Sequence, residues 1–198
     1  MTKSKSEESC ESRRYRTAAT GLPTNGKLGR LVAGIKQRTS AAEFAGITKE
    51  MAGIADTADK AETSRLVKGA IVRLERSVGR VTSLEIMKQC GGECFNRHQL
   101  ARRVTTEALS VDDIIRILNR GSVSVERTEA GTIKAEYKIC LCHIVKRART
   151  LFPTNTYCHC SVGWWQRLFE AALKKPVTVE LVQSIISGAD SCQFIIRI

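Results

Sequence analysis

Apolar positions in this chain recur first at helical spacing and later at every second residue, and this switch sets the expected architecture. Phe44, Ile47, Met51 and Ile54 fall on one face of a helix over 41–55, with Thr39 or Ser40 placed to cap it. Leu66, Ala70, Val72, Leu74 and Val78 predict a longer helix over 61–78. Thr82 and Ser83 then open a short one over 84–90, which the pair Gly91-Gly92 should end. A helical stretch over 97–108 follows. Ser110, with Asp113 three residues on, reads as a capping box for a helix carrying Ile114, Ile115 and Leu118 and ending at Gly121.

The period then becomes two. Val123 and Val125, then Ile133, Ala135, Tyr137 and Ile139, alternate with polar residues around the turn Glu129-Ala130-Gly131, which predicts a β-hairpin over 122–139. The segment Tyr157–Cys160 reads as short and extended. Ser161 caps a helix over 162–173 with a stripe of Trp165, Leu168, Phe169 and Ala172, and Lys174-Lys175-Pro176 stops it. Trp164 and Trp165 cannot both face the core, so one is left for a pocket or the surface. Val177, Val179 and Leu181 form a strand, Gly188-Ala189-Asp190 a turn, and Cys192, Phe194, Ile196 and Ile198 the last strand. Helices, hairpin, helix, hairpin predicts an α+β fold: N-terminal helices on an antiparallel sheet built from two hairpins with an intervening helix. Apolar content before Thr39 is thin, so residues 1–38 read as a basic disordered tail and 39–198 as a single cysteine-rich domain.

The eight cysteines add candidate chemistry. Six fall in three pairs: Cys90/Cys94, Cys140/Cys142 and Cys158/Cys160. In an extended Cys-x-Cys both thiols face one side roughly 6.5–7 Å apart. That is long for a disulfide but suits two ligands of one ion after modest bending. Three such pairs point to zinc or an iron–sulfur cluster held by Cys90, Cys94, Cys140, Cys142, Cys158 and Cys160. The competing readings are reactive thiols and plainly buried ones. Cys160, just before a predicted helix start, is placed for thiolate character. Cys192 reads as a core thiol, and Cys10 lies in the tail. His98 reads as a surface histidine, and His159 would face away from its two cysteine neighbours.

The net charge of +12 changes the picture little, because residues 1–38 carry nine Lys or Arg against three Glu, half of the excess. A tail of that kind binds polyanions weakly and salt-dependently. The body shows no aromatic-rich basic stripe and no nucleic-acid motif, so nucleic acid is not an expected partner of the domain. No apolar run is long enough for a membrane helix, and no signal-peptide core is visible. A cytoplasmic protein is expected, in which cysteines serve as ligands or free thiols rather than as a disulfide framework. Phosphate-binding glycine loops, His-Glu-x-x-His and nucleophile elbows are missing.

Ile86 through Cys94 resembles a cysteine segment of bacterial and archaeal proteins similar to L-2-amino-thiazoline-4-carboxylic acid hydrolase, grouped with cysteine-rich families of unknown function. Tyr137–Cys142 and Tyr157–Trp164 resemble the later cysteine segments of that group, and Gly188–Ile196 resembles the close of vinyl-reductase-type ligand-binding domains. The likeness spans about residues 60–198, with His143 standing where a proline often follows the second cysteine pair. It implies an α+β fold, a pocket for a small hydrophobic or heterocyclic ligand, and functional roles for the six paired cysteines and Cys192. Two functions are therefore expected: a binding or sensing domain with a cysteine-held metal, or a hydrolase of a small cyclic C–N substrate using metal-bound water or a thiolate of Cys158 or Cys160. The short sheet edges would permit a homodimer.

Overall fold

The computed structural model describes residues 21–52, 59–129, 131–146 and 150–198. Cys10 and the rest of 1–20, Ile54 and Ala55, the turn residue Ala130, and Arg147 to Arg149 of the expected basic connection lie outside the described residues.

The first correction is at the N-terminal end. Helix α1 (Gly26–Arg38) occupies a stretch whose composition reads as tail. Leu31, Val32 and Ile35 are buried in the core, with Leu22 and Leu28 packed against it. Composition misleads here because Lys27 and Arg30 count as solvated charge in a window yet sit half-buried on the packed side of the helix. Gly34 lets α1 come close, since a Cβ there would lie 3.1 Å from the Cys90 Sγ.

Helix α2 (Ala41–Thr48) starts with a full capping box, Ser40 to Glu43, and ends earlier than expected. Helix α3 (Lys60–Asn96) is the long spine and breaks once, at Gly79 (φ 76°, ψ 166°). Only glycine takes that conformation freely, so the break falls there rather than at Thr82-Ser83. The expected stop at Gly91-Gly92 does not occur, and α3 runs on to Asn96. Helices α4 (Gln99–Thr106) and α5 (Val111–Leu118) follow, the second with the capping box expected at Ser110 and Asp113.

Strands β1 (Val123–Glu129) and β2 (Thr132–Tyr137) form the expected hairpin. A 3-10 turn (Thr156–Cys158) then leads into helix α6 (His159–Leu173), so 157–160 is helical rather than extended, and Ser161 is not its cap. Strands β3 (Thr178–Gln183) and β4 (Cys192–Arg197) complete an antiparallel sheet of order β1-β2-β4-β3. In register, Tyr137 sits opposite Cys192, Ala135 opposite Phe194 and Ile133 opposite Ile196. Those residues and Val125 form the sheet's inner face, against Trp165, Leu168 and Phe169 of α6. The architecture is the expected α+β, with six α-helices and one sheet among the described residues. No helix among them is long and apolar enough to cross a membrane.

Two cores result. One joins α1 and α2 to α3 on both sides of its break, through Ile71 and Leu74 before Gly79 and Ile86, Met87 and Cys90 after it, and the other joins α6 to the sheet, α4 and α5. They are sewn together where α3 crosses α6. A Cβ at Gly91 would lie 1.8 Å from the Cys160 carbonyl oxygen, and one at Gly163 would lie 1.9 Å from the Lys88 carbonyl oxygen. The two backbones therefore touch directly. Gly91→Ala is expected to destabilise the fold by about 1–3 kcal/mol or more through overpacking. Gly92→Ala, where nothing lies nearer than 3.9 Å, should be neutral or stabilise by up to about 1 kcal/mol from helix propensity. Urea denaturation of the two variants checks this contrast.

Candidate functional site

The backbone contact of α3 with α6 leaves a small cavity at its edge, roofed by α1. Its volume is about 70 Å³. Helix α1 contributes Lys27, Arg30 and Leu31, α3 contributes Met87, Cys90 and Cys94, the 3-10 turn contributes Tyr157, and the start of α6 contributes Cys160 and Trp164. Cys90 and Cys94 share a helix face because α3 continues through the glycines, one turn separating them. Trp164 lines this cavity while Trp165 is fully buried against Phe169, as the sequence required of one of the two.

The cysteine pairs do not stay together. Cys158 and Cys160 flank the first residue of a helix, where positions two apart point to nearly opposite sides. Cys160 enters the cavity. Cys158 turns to the sheet and hydrogen-bonds the Cys192 thiol, whose sulfur also accepts the Ile185 N–H at 3.4 Å. Cys140 and Cys142 lie beyond the end of β2, not on it. The Cys142 Sγ is 3.3 Å from the Tyr157 hydroxyl and 3.9 Å from the Lys27 Nζ. None of the three histidines lines the cavity: His98 caps α4, His143 is exposed, and the His159 ring faces the Asn155 carbonyl at 3.4 Å. Among the described residues no three Cys, His, Asp or Glu side chains converge to hold a metal ion. Zinc or an iron–sulfur cluster on Cys90, Cys94, Cys140, Cys142, Cys158 and Cys160 therefore finds no assembled ligand set in this geometry.

Thiol ionisation also departs from expectation. Burial pushes Cys160 up to about 12, helped by Cys142, and it pushes Cys90 up to about 12, helped by Glu93. Burial outweighs whatever the helix start contributes, so both stay protonated at neutral pH. Tyr157, wholly buried, is pushed well above its usual range and keeps its hydroxyl proton. Cys192 goes the other way: the hydrogen bond from Cys158 lowers it to about 7, and Cys158 is raised in turn, first by that same bond and then by burial.

The two cations are the unexpected members. Among the described residues Arg30 Nη2 reaches the Cys94 Sγ alone, at 3.8 Å, while its Nε is buried with no hydrogen-bond partner there. Burial pulls the Lys27 ammonium down, the neighbouring Cys142, Cys160 and Cys94 pull it up, and the net shift is upward. No carboxylate pairs with either cation among the described residues. Sequence reasoning missed both because it assigned them to the tail. The signal that could have found them is the i, i+3 spacing of Lys27 and Arg30 beside the stripe Leu28, Leu31, Val32 and Ile35.

A second depression, open and about 960 Å³, lies between α4 and α6, lined among others by Arg97, Arg102, Arg167 and Lys174. It is wide open, its lining mixes apolar and charged residues with His98 and Glu170 among them, and no thiol lines it.

The thiol assignments predict one ionisation near neutrality. As pH rises through about 7, Cys192 should become a thiolate, while Cys90 and Cys160 remain thiols until near 12. Ultraviolet thiolate absorbance should therefore show a step near pH 7 that Cys192→Ser removes and that Cys90→Ser and Cys160→Ser leave in place.

No curated protein matches the chain. Among solved structures it is similar to an H-NOX family member used to probe the function of heme distortion, with 11% identity and a TM-score of 0.45 over 86% of this chain and 91% of that one. It is also similar to the phenol-responsive sensory domain of the transcription activator PoxR with phenol, with 15% identity and a TM-score of 0.43 over 84% of this chain and 88% of that one. Likeness of this order assigns no ligand or activity to this chain. Neither the thiazoline-hydrolase nor the vinyl-reductase resemblance finds support in these matches. Residues 31–198 match a family of unknown function (DUF6144), nearly the whole described chain, and the protein belongs to that family.

Proposed function

We propose that this protein is a small-molecule-binding domain of the sensing kind, whose ligand occupies the cavity between α1, α3 and α6. One observation carries the reading: a 70 Å³ cavity, walled by neutral thiols, a neutral phenol and an indole, into whose rim a single short helix places two half-buried cations. Pockets of this make-up, largely apolar with a few convergent polar groups, are where small ligands bind. A change at the ligand reaches α1 directly, because α1 supplies part of the cavity wall. The volume suits molecules of a few non-hydrogen atoms, and a porphyrin such as the heme named for the H-NOX neighbours is far too large for it. The hydrolase alternative is weaker, since Cys160 is a protonated thiol at neutral pH and Cys158 is committed to Cys192.

The test is a set of neutral and charged compounds with no more than six non-hydrogen atoms. At least one should slow amide hydrogen exchange across α1 and change Trp164 emission, with Trp165 serving as the buried internal standard. Cys94→Leu, which fills the cavity from its half-exposed side, should abolish both responses. If no compound in the set moves either readout, the cavity is not a binding site.

A further inference from the structure

The cavity reading leaves open which chemistry it recognises, and the two cations of α1 answer that. The argument rests on the proposal above.

A buried or half-buried charge costs free energy unless it is paired. Lys27 and Arg30 both withdraw from water at the rim of one cavity, and among the described residues neither has a carboxylate partner. Their neighbours there are sulfurs: Cys142 at 3.9 Å from Lys27 and Cys94 at 3.8 Å from Arg30. Sulfur is a weak acceptor. The Arg30 Nε–H, buried, has no acceptor among the described residues. Nε and Nη2 form the side-on edge of the planar guanidinium, which matches the two oxygens of a carboxylate in a bidentate pair. The Tyr157 hydroxyl, 3.3 Å from the Cys142 Sγ, stands in the same wall as a further donor. Leu31, Met87 and the Trp164 ring supply the apolar part of the lining. Such a lining suits a short hydrocarbon tail beside a carboxylate, a tail that inorganic phosphate and sulfate lack.

We infer that the ligand is a small monocarboxylate of about two to four carbons, its carboxylate held by Arg30 and Lys27 and its tail against Leu31, Met87 and Trp164. The anion supplies a counter-charge that the described residues do not, so α1 is held more firmly with the ligand than without it.

The test uses the full chain and compares propionate with its neutral isostere propionamide and with inorganic phosphate, at matched ionic strength, by calorimetry, Trp164 emission and hydrogen exchange of α1. Propionate should bind at least tenfold more tightly than either of the others, and Arg30→Gln and Lys27→Met should each weaken it at least tenfold. A second readout separates recognition from a structural role. Without ligand, both variants should be as stable as the parent or more so, since each removes an unpaired, partly buried charge. Loss of stability in the ligand-free variants would overturn the inference, because the cations would then be holding the fold. Equal binding of propionamide would overturn the charge assignment, and tighter binding of phosphate would overturn the carboxylate class. If neither propionate nor propionamide binds while another of the small compounds does, the carboxylate inference fails and the cavity reading stands. If no compound binds, both fail.

Discussion

The structure depends on two helices meeting without side chains between them. At Gly91 and Gly163 the backbones of α3 and α6 pass so close that any Cβ would overlap a carbonyl group of the opposite helix. This contact joins the helical core to the sheet core, and it fixes the depth at which Cys90, Cys94 and Cys160 sit. A contact of this kind is unforgiving, because no flexible side chain is available to absorb an added methyl group. It also accounts for Gly91 standing inside a helix despite its cost in helix propensity.

The same crossing scatters the cysteines. Once α6 begins at His159 instead of after an extended segment, its first turn sends Cys158 to the sheet and Cys160 to the helical side. The thiols then serve different neighbours. Cys158 and Cys192 form a hydrogen-bonded couple whose proton lies unequally between them, and Cys90 and Cys160 become protonated walls of a cavity. Proximity in sequence, which suggested joint metal ligation, is undone by the 100° step of a helix.

Much of the fold was legible from periodicity. The hairpin, the stripe of α6, the cap at Ser110 and the closing strands all follow from local patterns that tertiary contacts leave in place. What was not legible depended on contacts distant in sequence. Gly91-Gly92 reads as a stop because glycine usually ends a helix, and only the carbonyl of Cys160, some seventy residues on, reveals its purpose as clearance. Residues 26–38 read as tail because charge was counted without direction, whereas α1 points Lys27 and Arg30 toward the cavity's thiols. The candidate cysteines were found by identity, but their division between two sites needed the helix start at His159. The cations of the site were missed with the helix that carries them.

The energetics of α1 tie site to fold. Burying Leu31, Val32 and Ile35 contributes about 1.5–3 kcal/mol each as an upper estimate. Against this stands the withdrawal of Lys27 and Arg30 from water, a cost that grows with burial unless each charge is paired. An anion that pairs with both cations removes that cost without disturbing the apolar gain. Such a helix couples the binding of an anion to its own docking.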